Sequence, residues 1–197
     1  MEHDDGKRGE ILTAAGMVFG QYGLRKTTMG DILREAGVAR ATLYKYFSNK
    51  DEVFRAVVER EVDDILGAVR RDVAEAGTTR EQLRAAIMTY TDLITHKVNI
   101  YRVTLKALSD IMPMRTEHVQ KMARQLQDVF QGILADGVAD REIAVENVEL
   151  TALTLVYALK GIFMSAATDT WLESREVITG RLLDLMMDGM RPRRESV

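Results

Sequence analysis

The chain has 197 residues, with 27 Lys and Arg against 30 Asp and Glu for a net charge of −3, two prolines and no cysteine. That length suits one or two domains with a sizeable core. The missing cysteines exclude a disulfide framework, a thiolate metal site and a cysteine nucleophile, and make a reducing compartment, the cytoplasm, the expected home.

Apolar residues recur at intervals of three and four rather than two, so the whole chain reads as helix. Nine segments are predicted, at roughly 7–22, 28–35, 39–46, 49–75, 79–96, 98–111, 114–135, 146–168 and 171–189. The polar start, Met1 to Arg8, reads as no signal peptide. The first helix carries Ile11, Leu12, Ala15, Val18, Phe19 and Tyr22 on one stripe wide enough to face a core. Hydroxyl and acid or amide pairs three residues apart mark helix starts at Thr28 with Asp31, Ser48 with Asp51, Thr79 with Gln82 and Thr170 with Glu173. Stops are expected at Gly23, Gly37, Gly77 and Gly137.

The second and third segments are the most informative. Thr27 to Ala36 and Val38 to Phe47 read as two short helices about a tight turn at Gly37, a helix-turn-helix. Arg40, Thr42, Tyr44, Lys45 and Tyr46 can reach base edges or phosphates, while Leu43 and Phe47, four apart, anchor the helix from beneath. Tyr44 and Tyr46 also admit a packing role. With Ile32, Leu33 and Ala36, the first three helices can close a small head. Charge agrees: from Gly6 to Lys50 eight basic residues face three acids, and the remainder is acidic, as suits a DNA-reading head on a body that phosphate repels. The expected division is a head over 1–48, a helical body over 49–190 entered by a continuous helix, and a disordered tail over 191–197.

The body offers two readings. The run from Thr151 to Ala167, with Lys160 as its one charge, is apolar all round yet shorter than the roughly 20 residues of a membrane span. It therefore needs protein on both sides, and a second subunit is expected to supply one of them. Leu153, Tyr157, Ala158, Gly161 and Ser165, with Ile178, Leu182 and Leu185 of the last helix, are the candidate dimer residues. The small residues among them equally suit internal packing.

The order Thr27-Thr28-Met29-Gly30-Asp31-Ile32, then Glu35-Ala36-Gly37-Val38, then Ala41-Thr42-Leu43-Tyr44-Lys45-Tyr46-Phe47-Ser48-Asn49-Lys50, closely resembles the TetR family of bacterial transcriptional regulators over about the first 55 residues. Ala39 departs from the serine that many relatives use to cap the recognition helix, and Ala41 from a glycine or proline. The resemblance implies an all-α repressor that binds a palindromic DNA operator as a homodimer. It implies a phosphate contact for Thr28 and major-groove positions for Arg40, Ala41, Thr42, Tyr44 and Lys45. Tyr46 and Lys50 would hold the DNA backbone, and Arg25 and Lys26 are either further phosphate contacts or solvated. It also implies that the last two helices form a four-helix dimer interface and that a small, largely apolar effector enters the body. Tyr90, Leu93, His96, Tyr101, Leu105, Leu108, Met112, Met122, Leu126, Phe130, Leu155, Leu159 and Phe163 would line its cavity, or else form plain core.

Enzymatic readings find no footing. His3, His96 and His118 are scattered without metal-ligand spacing, and no glycine-rich phosphate loop follows a strand. No catalytic residue, metal, cofactor or membrane partner is expected. The rivals are a helical adaptor or ligand-binding bundle that has lost DNA binding, and an enzyme on an all-helical scaffold; binding to a palindromic duplex separates the regulator from both.

Overall fold

The structure, a computed structural model, describes residues 2–96, 112–166 and 175–191. Those residues form eight helices: α1 (Glu2–Lys26), α2 (Met29–Ala36), α3 (Arg40–Tyr46), α4 (Lys50–Glu75), α5 (Thr79–His96), α6 (Met112–Ala139), α7 (Val148–Ala166) and α8 (Arg175–Gly189). The all-α expectation holds; the predicted segment 98–111 and the cap pair Thr170 and Glu173 lie outside the described residues. No helix among the described residues is long and apolar enough to cross a membrane.

The chain divides into two compact units, Met1–Asp63 with His96–Val119, and Asp64–Thr95 with Gln120–Val197. In the first, α1, α2, α3 and the start of α4 enclose a core of Ile11, Leu12, Phe19, Ile32, Leu43, Phe47, Val53 and Phe54, with Phe19 edge-on to Phe54 at 5.2 Å between ring centres. The stripe on α1 is buried as its periodicity requires, apart from Tyr22, which is exposed. Arg60 of α4 donates to the Gly9 carbonyl at 3.0 Å and to the Thr13 hydroxyl at 3.1 Å, so the early part of α4 is pinned along α1. The second unit buries Ile65, Leu66, Leu83, Ile87, Phe130, Leu134, Leu155 and Leu159, among others, from α4, α5, α6 and α7.

Local signals placed most helix ends. At Gly23 α1 kinks with φ 78° and ψ 159°, a conformation open to glycine and little else. Two starts shift by one residue. Asn49, not Ser48, caps α4 by accepting from the Glu52 N–H at 2.9 Å, while the Glu52 carboxylate reaches back to the Ser48 N–H at 2.8 Å. Thr78 and Glu81, not Thr79 and Gln82, form the box at α5, because a carboxylate accepts from both Gly77 and Thr78 amides. Gly137 does not stop its helix, which runs on to Ala139. It permits close approach instead: a methyl there would lie within 2.6 Å of Thr79 Cγ2.

Candidate nucleic-acid interface

The turn between α2 and α3 follows from four residues. Thr28 caps α2, its hydroxyl accepting from the Asp31 N–H at 3.2 Å while Asp31 accepts from the Thr28 N–H at 2.9 Å and its hydroxyl at 2.6 Å. Gly37 then ends α2 in the left-handed region, φ 61° and ψ 25°, with its N–H on the Leu33 carbonyl at 3.1 Å. A methyl at Gly37 would meet nothing within 4 Å, so a substitution there acts through the backbone alone. Gly37→Ala is expected to lower stability by about 1–2 kcal/mol, and Gly37→Asn by less, because asparagine tolerates this region. Urea unfolding checks the order, and equal losses for both variants would refute the conformational cause.

The Thr28 hydroxyl, its backbone N–H and the Arg34 guanidinium, in that order of effect, hold the Asp31 carboxyl below its ordinary value of 3.8. A lowered value in the folded state means a contribution present above pH 3.8 that fades as pH falls through the folded-state value. Protection of the Thr28 and Asp31 amides from hydrogen exchange is therefore expected to decline in that acid range. Asp31→Asn should flatten the dependence, and an unchanged profile would dismiss the carboxylate as its source.

α3 presents the candidate reading surface. Leu43 and Phe47 are buried beneath it, whereas Arg40, Ala41, Tyr44 and Lys45 are exposed and Thr42 and Tyr46 half-buried. The Arg40 guanidinium lies over the Tyr44 ring at 5.4 Å, and the Lys45 ammonium over the Tyr46 ring at 5.2 Å. Tyr46 also packs on the head core. Ala39 at the start of α3 makes no side-chain cap, as its methyl dictates. Sequence reasoning missed Arg8, whose guanidinium lies 5.5 Å over the Phe47 ring from α1; an i-to-i+4 rule cannot find a partner 39 residues away.

Lys50 lies in the same unit. Its ammonium donates to the carbonyls of Leu24 at 2.9 Å, Thr27 at 2.9 Å and Arg25 at 3.4 Å. Arg25 and Lys26, at the end of α1, are exposed.

In the body, Tyr90, Leu126, Phe130, Leu155 and Leu159 of the candidate effector set are buried, and Leu93 and Met122 half-buried. Burial pushes the Tyr90 phenol up, which keeps it neutral. Tyr101, Leu105 and Leu108 lie outside the described residues, as do the side chains of His96, Met112 and Phe163. A cavity of about 130 Å³ is lined by Arg84, Ile87, Met88, Thr179, Gly180 and Leu183, none of which is in that set. Of the candidate dimer residues, Tyr157 and Leu185 are 62% and 72% exposed, Gly161 is exposed, and Leu153, Ala158, Ile178 and Leu182 are half-buried. The Ser165 side chain is outside the described set. Leu150 and Val177 are exposed as well.

Residues 11–57 match the family described as bacterial regulatory proteins, tetR family, and residues 76–164 match the tetracyclin repressor-like C-terminal domain. The chain is similar to the transcriptional activator FasR of Mycolicibacterium smegmatis, 37% identical over 99 residues, 50% of this chain and 45% of that one. It thus spans less than half the length of that relative. It is 30% identical over 138 residues to the transcriptional repressor KstR2 of Rhodococcus jostii, covering 68% of this chain and 67% of that one. With the fatty acid metabolism regulator protein of Bacillus subtilis it shares 25% identity over 134 residues, 68% of this chain and 69% of that one. A solved transcriptional regulator from Cytophaga hutchinsonii has the same fold, with a TM-score of 0.81 and 22% identity over 95% of this chain and all of that one.

Proposed function

The chain belongs to the tetR family of bacterial regulatory proteins and is a DNA-binding transcriptional regulator, and from that premise we propose that it acts as a homodimeric repressor released by a small, largely apolar effector. Two copies of α3 read a palindromic operator, with Arg40, Thr42, Tyr44 and Lys45 toward the major groove and Thr28 and Lys26 toward phosphate. The observation that carries this reading is the exposed row Arg40, Tyr44 and Lys45 on a helix fixed from beneath by Leu43 and Phe47. The head is residues 1–48, the body 49–190 and the tail 191–197.

The dimer is supported by exposed apolar residues on α7 and α8, Leu150, Tyr157, Val177 and Leu185, beside the half-buried Leu153, Ile178 and Leu182. For the effector, support comes from the apolar side chains Tyr90, Leu126, Phe130, Leu155 and Leu159 and from the relative named a fatty acid metabolism regulator. An acyl chain is the chemistry that both suggest. Any ligand that weakens DNA binding must itself be weakened by DNA to the same factor, and a tenfold release needs about 1.4 kcal/mol of differential affinity.

The test selects duplexes from a random pool with the unmodified protein, then titrates the selected duplex in the presence of fatty acids of graded length and their thioesters. The expected outcome is a palindromic consensus and release that deepens with chain length. A selection that enriches no sequence ends the operator reading; enrichment without release by any acyl compound ends the acyl effector and leaves the regulator standing.

A further inference from the structure

We propose that the body carries a binding site between α5 and α8 for a short aliphatic carboxylate. None of the residues that line it belongs to the set proposed for the acyl effector, and the site stands whether or not an acyl chain releases DNA.

The two helices run antiparallel within one compact unit. Arg80 of α5 pairs with Asp184 of α8. One turn further along α5, Arg84 lines a cavity of about 130 Å³ together with Gly180, one turn back along α8. Repeating the first pairing would need an acid at position 180. Glycine stands there instead, and a methyl built on it would meet nothing within 4 Å. The cavity is thus room that α8 leaves by omitting a side chain. On its wall is a guanidinium that no carboxylate among the described residues engages.

Thr179 supplies an independent observation. It lines the same cavity and is 1% exposed, yet its Oγ1 makes no hydrogen bond among the described residues. Thr13, Thr91, Thr151 and Thr154 return their hydroxyls to the carbonyl four residues back, at 2.8 to 3.0 Å. Thr179 does not. A buried hydroxyl without a partner costs free energy that a ligand acceptor recovers. Ile87, Met88 and Leu183 complete the wall with apolar surface. A hydroxyl donor, a cation and an apolar remainder match a carboxylate on a short hydrocarbon tail. Size sets the tail: a cavity of about 150 Å³ holds benzene, so roughly six non-hydrogen atoms fit here, as in butyrate. A water would answer Thr179 but leave Arg84 and the apolar wall unused.

The test titrates the full-length protein, labelled at its Ile, Leu, Met and Thr methyl groups, with butyrate and with butyramide, which has the same shape without the charge. A ligand this small is expected to saturate with a dissociation constant on the order of millimolar. The methyl signals of Ile87, Met88, Thr179 and Leu183 should shift together, while those of Leu126 and Leu155 stay in place. Butyramide should bind about fivefold more weakly, a preference that Arg84→Gln removes. Thr179→Val keeps the shape and loses the hydroxyl, so butyrate affinity should fall roughly tenfold. Gly180→Leu fills the space and should abolish all four shifts.

Shifts confined to Leu126 and Leu155 would send butyrate to the acyl-effector residues and overturn the proposal. So would a titration of the unmodified protein to roughly tens of millimolar that moves none of the four methyls, or a Thr179→Val protein that binds unchanged. The unmodified protein decides the matter even where Gly180→Leu fails to fold. Because the readout involves neither DNA nor an acyl chain, failure here leaves the regulator reading standing, and failure of that reading leaves this site standing.

Discussion

Tyr157→Glu combined with Leu185→Glu is expected to convert the proposed dimer to monomers and to remove specific DNA binding. Both side chains face solvent within the described residues, at 62% and 72% exposure, so in a lone subunit the exchange costs little, within roughly 0.5 kcal/mol as for most surface sites. In a dimer built on α7 and α8 the same carboxylates become buried without partners, a penalty of several kcal/mol per ion and repeated by symmetry. Specific protein–DNA affinities at physiological salt fall near 10⁻⁸ to 10⁻¹¹ M and need more contacts than one head offers. Loss of the second half-site should thus weaken operator binding by roughly 10³-fold or more, to the level of non-specific association. Sedimentation equilibrium reads the assembly, and circular dichroism confirms that helix content is kept. A doubly charged variant that still sediments as a dimer would place the interface elsewhere.

Arg40→Ala is expected to cost about 1–3 kcal/mol at each half-site, roughly 30-fold to 10⁴-fold for the dimer, and to relax discrimination at one base position in each half. The structure sharpens this expectation through Tyr44. With the guanidinium seated over the Tyr44 ring at 5.4 Å, Arg40 is held partly ordered before DNA arrives, which reduces the side-chain entropy lost on binding. Tyr44→Phe should keep that seat, whereas Tyr44→Leu should lose it and take part of the Arg40 contribution with it. A double-mutant cycle between the two positions, read by mobility shift on the selected duplex and its single-base variants, measures the coupling. Full additivity would mean that the stacking has no bearing on recognition.

The exposed face of α3 was largely legible from the sequence. Arg40, Tyr44 and Lys45 are exposed where helical spacing from Leu43 and Phe47 puts them, because a seven-residue helix with two anchors has one free face. The Thr28 and Asp31 box and the Gly37 turn were equally legible, since each rests on a hydrogen bond spanning three or four residues. The body was harder to read. An apolar run such as 151–167 states that burial is needed without stating on which side. In the fold Ala152, Leu155, Val156 and Leu159 turn inward, leaving Tyr157 outside.

What the sequence by itself determined is therefore the all-helical class, the helix-turn-helix and the row of side chains it displays, all consequences of local periodicity, capping and one glycine with positive φ. The tertiary structure decided the rest. It moved the caps to Asn49 and Thr78, set Gly137 against Thr79, brought Arg8 to Phe47 and directed Lys50 to carbonyls 23 to 26 residues behind it. The physical reason is range. A cap or a turn is closed by neighbours in sequence, whereas an ammonium takes whichever orphan carbonyls packing brings within 3 Å or so, and spacing along the chain carries no record of that choice.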